Sequence, residues 1–263
     1  MSNPADKPNA ASWRTHTSSV LTALTHGSAP FITTFLLIHL AAPAAANLGG
    51  SELSSQTMVR FFLPRSEPNA HLLYSSTHVQ LLGREYYQTT FGERYLLFGP
   101  LFIHSSSAII KRIFSPSISR PLTSAISVTG YATAFCFLPV HFITHRLAPA
   151  DPASPISSLS PSELDYEYVK AALSGWPRRS IVLYSVLVLG VALHAADGIG
   201  IIWSTWTPGL RLPGRRARRA LAGAAVVPVL TGLAFLAREP LYAFVSMAAR
   251  YRAALTQSLV YRL

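Results

Sequence analysis

The sequence has a single cysteine, Cys136, which excludes an internal disulfide, a CxxC redox pair and a cysteine-built zinc site. Charge is scarce too. Asp, Glu, Lys and Arg make up 13% of the chain, where soluble domains carry about a quarter. Acids are the rarer sign, 11 against 22 Lys and Arg, for a net charge of +11. GxSxG, HExxH and P-loop signatures are absent, which removes the commonest hydrolase and nucleotide-binding readings. No nucleic-acid motif accompanies the basic excess, so the charge reads as loop charge that sets topology and meets anionic lipid. The N-terminus lacks the charged-then-apolar layout of a cleaved signal peptide. What remains is a chain that is 50% hydrophobic, with a mean hydropathy of +0.32: a membrane protein.

Five apolar runs are long enough to cross a bilayer, at about 20–46, 95–114, 122–145, 180–206 and 220–237. The expected fold class is all-α, an integral-membrane five-helix transmembrane bundle spanning residues 18–250. Residues 1–17 read as a disordered tail, 70–92 as an interfacial segment and 251–263 as a C-terminal tail. Gly49 and Gly50 end the first run, Pro228 kinks the fifth, and Ser162 is the expected cap of a short surface helix. Five spans put the termini on opposite faces. The N-terminal face gathers segments 1–19, 111–121 and 207–219, with two, three and five Lys or Arg and Asp6 as the sole acid. That face is expected in the cytosol.

Histidines recur inside the runs. His39 and His141 lie near the ends of the first and third spans, at one depth. His104 and His194 lie mid-way along the second and fourth, at another. A b-type haem needs two imidazoles on facing helices at one depth, so the four histidines are candidate axial ligands of two stacked haems. Gly198 is i+4 from His194 and leaves room for a planar ligand, and Lys111 is placed for a haem propionate. His145, at a helix end beside Arg146, is expected at the headgroup level. Asp197 is the costliest group in the chain, and accepting from a ligand imidazole, pairing with an Arg or facing a wet crevice would each settle it.

Five spans with histidines on the first four resemble the cytochrome b membrane-anchor subunits of succinate dehydrogenase and fumarate reductase. Four stretches, Leu81–Gln88 (LLGREYYQ), Phe98–Arg112, Gly130–Pro149 and Tyr184–Gly200, are similar to a fungal family of mitochondrial outer-membrane adapter proteins that shares this membrane fold. The resemblance implies a non-enzymatic adapter in the mitochondrial outer membrane, acting in lipid homeostasis and organelle contact. The implied partners are membrane lipids and a bridge-like lipid-transfer protein of the vacuolar protein sorting class. The family's Pro-x-Pro recruiting element is replaced by Pro4 and Pro8, and the glycine after its second-span histidine by Ser105-Ser106-Ser107. An electron-transfer cytochrome b with a quinone site and a phospholipid scramblase are the alternatives.

Overall fold

The computed structural model describes residues 10–60, 89–114, 119–207, 209 and 211–262. The fold is 82% helical, with no strand among the described residues. Helix α1 is Ala10–Arg60. A π-helical stretch, Gly92–Phe98, runs into α2, Gly99–Phe114. Helix α3, Ala125–Ala150, alternates α-helical and π-helical turns and ends in a 3-10 turn. Then come α4 (Tyr166–Gly175), α5 (Pro177–Trp206), α6 (Arg215–Leu236), α7 (Val245–Gln257) and α8 (Leu259–Arg262).

Four stretches are long and apolar enough to cross a membrane: Thr15–Ser55, Ala125–Ala150, Pro177–Trp206 and Arg215–Leu236. They leave Phe135, Val182, Leu189, Ile199, Val227 and Phe235 exposed, as lipid-facing positions require. The expected second span is not among them. Helix α2 has 16 residues, Glu93 and Arg94 precede it, and Lys111 and Arg112 fill its last turn. Most of the expected interfacial segment, including LLGREYYQ, lies outside the described residues.

The chain divides into two compact units, Met1–Leu37 with Arg84–Ser124, and Ile38–Gly83 with Ala125–Leu263. In the first, Ser28 and Ser107 are buried, and Lys111 Nζ donates to Thr22 Oγ1 at 2.7 Å. In the second, small residues let the helices close. Ala42 and Ala46 of α1 are fully buried one turn apart. A Cβ at Gly232 of α6 would overlap the Pro43 carbonyl oxygen, and Asn47 donates to the Pro228 carbonyl at 2.7 Å. Glycine at 232 is what permits the approach, the small-residue logic of membrane helix packing.

The segments expected as tails are partly helical. Helix α1 begins at Ala10, and α7 and α8 occupy most of 245–262. Tyr251, Ala254, Leu255 and Tyr261 join Tyr168 and Ala172 of α4 in one apolar cluster. The α4 cap is Asp165, whose side chain accepts from the Glu167 amide at 2.8 Å, not Ser162. Ser162 pairs with the Ser160 hydroxyl, and Glu163 accepts from the Ser160 amide, so the turn before α4 closes on itself.

Candidate functional site

The second unit gathers His39 from α1, His141 and His145 from α3, and Tyr184 from α5 into one cluster. His39 and His141 meet edge to face, with ring centroids 5.9 Å apart. His145 packs on His141 at 4.6 Å and shares a 3.0 Å hydrogen bond between its Nε2 and the Tyr184 hydroxyl. Tyr168 stands edge-on to His145 and donates to the Thr144 carbonyl at 2.8 Å. His145 is therefore an inward group, one turn from His141 on the same α3 face, and its neighbours are rings. The sequence expectation put it among headgroups because Arg146 follows it. Arg146, the next residue round the helix, points elsewhere and is exposed.

Among the buried polar atoms of this cluster, His141 Nδ1 and Thr144 Oγ1 have no hydrogen-bond partner among the described residues. Both residues line a cavity of about 10 Å³ together with Leu183, Tyr184, Leu187 and Tyr261. That is room for roughly one water. A haem places stricter demands. Two axial imidazoles must each aim a ring nitrogen at a shared iron, whereas His39 and His141 meet edge to face. The macrocycle also needs a slot, and ligand pockets run to about 300 Å³ and more. The residue types suit the group; their arrangement and the space beside them do not. In this conformation the histidines serve as packing and hydrogen-bonding groups. Among the described residues no three His, Cys, Asp or Glu side chains converge to hold a metal ion.

The other two candidate ligands, His104 and His194, are each held by a backbone carbonyl. In the first unit, His104 Nδ1 lies 2.9 Å from the Thr25 carbonyl oxygen and 3.4 Å from Ser28 Oγ. In the second, His194 Nδ1 lies 3.0 Å from the Ile126 carbonyl oxygen. An imidazole that donates from Nδ1 carries its lone pair on Nε2. The ring of His194 fits because Gly130 has no side chain: a Cβ there would lie 2.7 Å from Cε1. Gly130 is the glycine that matters to His194, and the sequence reading missed it, because spacing along α5 carries no information about α3. Around Gly198 a Cβ would meet nothing within 4 Å. Lys111 is engaged with Thr22.

Asp197 is clasped twice. Arg215 donates to it through Nε and Nη2 at 3.2 and 3.1 Å, and Arg219 through Nε and Nη2 at 3.0 and 2.6 Å. The two arginines are i and i+4 on the first turns of α6, so one helix face presents both forks. The segment expected as a basic linker ends at Gly214, the N-cap of α6.

A second ionic group sits at the other end of α5 and α6. Lys170 of α4 is 1% exposed, with Nζ 2.5 Å from Glu167 Oε1, 3.3 Å from Glu239 Oε2 and 3.2 Å from Ser51 Oγ. The Tyr242 ring lies 4.6 Å away, a cation–π contact. Glu239 also accepts from the Ser51 amide at 3.0 and 3.2 Å, capping the helical turns that restart after Gly49 and Gly50. Gly50 has φ 61°, and a Cβ there would overlap Glu239 Oε1. Burial raises the Glu239 carboxyl, and the bonds from Ser51 and Lys170 outweigh it, so the group titrates below the usual carboxylate range.

No protein-family model, curated protein or solved structure matches the chain.

Proposed function

We propose that this multi-pass membrane protein is a non-enzymatic adapter of the mitochondrial outer membrane, acting in lipid homeostasis, with α2 and the turn before it forming a fifth span. The observation that supports this reading is how the polar groups inside the helices are used. Asp197, Lys170, Asn47, His104 and His194 each bind a neighbouring helix or its backbone. Side chains spent on fixing helices together tie down each unit, and the second unit has two chemically distinct ends, which suits a platform for a partner. The partner would be a bridge-like lipid-transfer protein, reached from the basic face.

The test is a tagged full chain in cells. Fluorescence at the mitochondrial rim, with the lipid-transfer protein enriched there, is the expected result. A chain found in another membrane, or one that leaves the distribution of the lipid-transfer protein unchanged, would refute the adapter reading. Deleting residues 2–12 is expected to leave recruitment intact, because Pro4 and Pro8 are too widely spaced to act as one docking element.

A second reading, a b-type cytochrome, rests on the convergence of His39 and His141 in one cluster. In it, those two residues would hold a haem, which would supply one-electron chemistry, and the cluster would have to open to admit it. The absorption spectrum of the purified protein, oxidised and dithionite-reduced, separates the two readings. A Soret band lost in both His39→Ala and His141→Ala supports the cytochrome; a folded protein without one removes it.

A further inference from the structure

At the basic end of the second unit not every arginine is spent on a described carboxylate. Arg215 and Arg219 share Asp197. Arg218, three residues after Arg215 on the same α5-facing side of α6, meets no carboxylate among the described residues. Its Nε donates to the Ala196 carbonyl at 3.1 Å and its Nη1 to the Pro213 carbonyl at 2.6 Å. These two bonds fix the guanidinium plane, and Nη2 has no hydrogen-bond partner among the described residues. The position depends on Gly200, where a Cβ would overlap Nη2. Arg218 therefore lies flat against α5, and its free edge borders an open cleft of about 410 Å³.

The floor of that cleft is one face of α5: Gly200, Trp203, Ser204 and Thr207, at i, i+3, i+4 and i+7. Leu212 closes the far side. The Ser204 and Thr207 hydroxyls donate to the Ile201 and Trp203 carbonyls, so the donors left for a ligand are cationic. Ile199 and Trp206 are exposed on the same stretch of α5, and tryptophan at a span's end marks the headgroup level. Arg216 is exposed on the turn that carries Arg218. A fixed guanidinium, a second cation, an apolar wall running into the membrane and a cleft of headgroup size belong together in one kind of site.

We propose that this cleft binds an anionic glycerophospholipid, with its phosphate on Arg218 and its acyl chains along the Ile199 side of α5. The proposal rests on the membrane-spanning fold and not on the adapter role. A guanidinium held in place loses little entropy on binding, and its remaining N–H groups make charge-assisted hydrogen bonds to phosphate. A terminal phosphate, as in phosphatidic acid, presents its oxygens to them better than a choline-capped one.

The experiment uses the full chain in nanodiscs of phosphatidylcholine with or without phosphatidic acid, with retained lipid counted by native mass spectrometry. The wild-type protein should retain phosphatidic acid selectively. Arg218→Gln should weaken that retention about tenfold, the scale of one charge-assisted contact. Gly200→Ala should act alike by displacing the guanidinium while keeping every charge. Arg178→Gln, at the opposite end of α5, should have no effect. Equal retention in wild type, Arg218→Gln and Gly200→Ala overturns the site. Equal loss in Arg178→Gln overturns it too, since a general field would then explain binding. Millimolar inorganic phosphate in phosphatidylcholine discs should neither bind nor compete; if it binds as well as the lipid, the ligand is a free anion and the lipid claim falls. Failure of the wild-type chain to enter discs at all would sink the membrane reading, whereas entry without lipid preference sinks only this site.

Discussion

The two ends of the α5–α6 pair solve the same problem with opposite signs. At one end a single acid, Asp197, is 6% exposed beneath two arginines that are 58% and 35% exposed. At the other a single base, Lys170, is 1% exposed between two glutamates that are 17% and 21% exposed. In each cluster the minority charge is buried and the majority charge reaches towards water. The buried ion is thereby over-compensated, which offsets the desolvation that a lone pair would leave unmet. The surplus left over differs: one positive charge where α5 ends and α6 begins, one negative where α4 and the end of α6 meet. Helix α6, at 22 residues, is about 33 Å long, so it carries these surpluses to opposite sides of a hydrocarbon core about 30 Å thick.

Topology is the largest effect the contrast implies, because orientation is all or none. The basic end is expected in the cytosol and the Lys170 end on the other side. With Cys136 replaced by serine, a cysteine at Arg216 should react with an impermeant maleimide added outside intact mitochondria, and one at Gln257 should not. The reverse pattern would show that the surplus charge does not set orientation.

The next effect is on stability, and it should be unequal at the two ends. Lys170→Met leaves two carboxylates facing each other without their cation. The expected cost is about 3–5 kcal/mol, seen as a large drop in the midpoint of thermal unfolding in detergent. Adding Glu167→Gln and Glu239→Gln to Lys170→Met should recover most of it, because no uncompensated charge remains. If the triple variant is as weak as the single one, Lys170 acts through packing.

Asp197→Asn should cost less, about 1 kcal/mol, since both arginines can turn to water once the carboxylate is gone. A loss as large as that of Lys170→Met would mean that exposure does not distinguish the two clusters. The same variant leaves Arg218 on its two carbonyls, so its lipid retention should match wild type.

The ends also differ in how far sequence reveals them. Asp197 and RRARR lie within one helical hairpin, and the need of a membrane-level acid for a cation is readable from one sequence stretch. The other clasp draws Ser51, Glu167, Lys170 and Glu239 from three segments, and no spacing links them. The apolar runs gave the helices because a bilayer-length apolar stretch has few alternatives. Their ends were less legible: α1 extends to Arg60 because helical turns resume after Gly49 and Gly50, under the Glu239 carboxylate. Depth counting along spans one and three identified His39 and His141 as neighbours in height, and their rings lie 5.9 Å apart. It could not reveal that His145, Tyr184 and Tyr168 fill the space around them, which depends on how α3 is rotated about its axis.

The smallest effect is the pH dependence contributed by the glutamates of the acidic end. Glu163 accepts from the Ser160 amide at 2.7 Å and from Arg250 at 2.6 Å. Both bonds, the amide first, hold its carboxyl below the usual range, as Ser51 and Lys170 do for Glu239. A carboxyl depressed in the folded state binds protons less readily than in the unfolded chain. Its contribution is complete above the unfolded value, about 4.3 for glutamate, and is lost as pH falls through the folded one. The share of the thermal midpoint that these two glutamates supply should therefore be level from about pH 7 to pH 5 and decline below that. Glu163 is 29% exposed on its side chain, so its own share is about 1 kcal/mol or less. Glu163→Gln should lower the midpoint slightly at neutral pH and flatten a small part of the acid decline. A decline with the same slope in Glu163→Gln and in wild type would show that Glu163 is protonated alike in the folded and unfolded chain, and would leave Glu239 as the acid-sensitive group at that end.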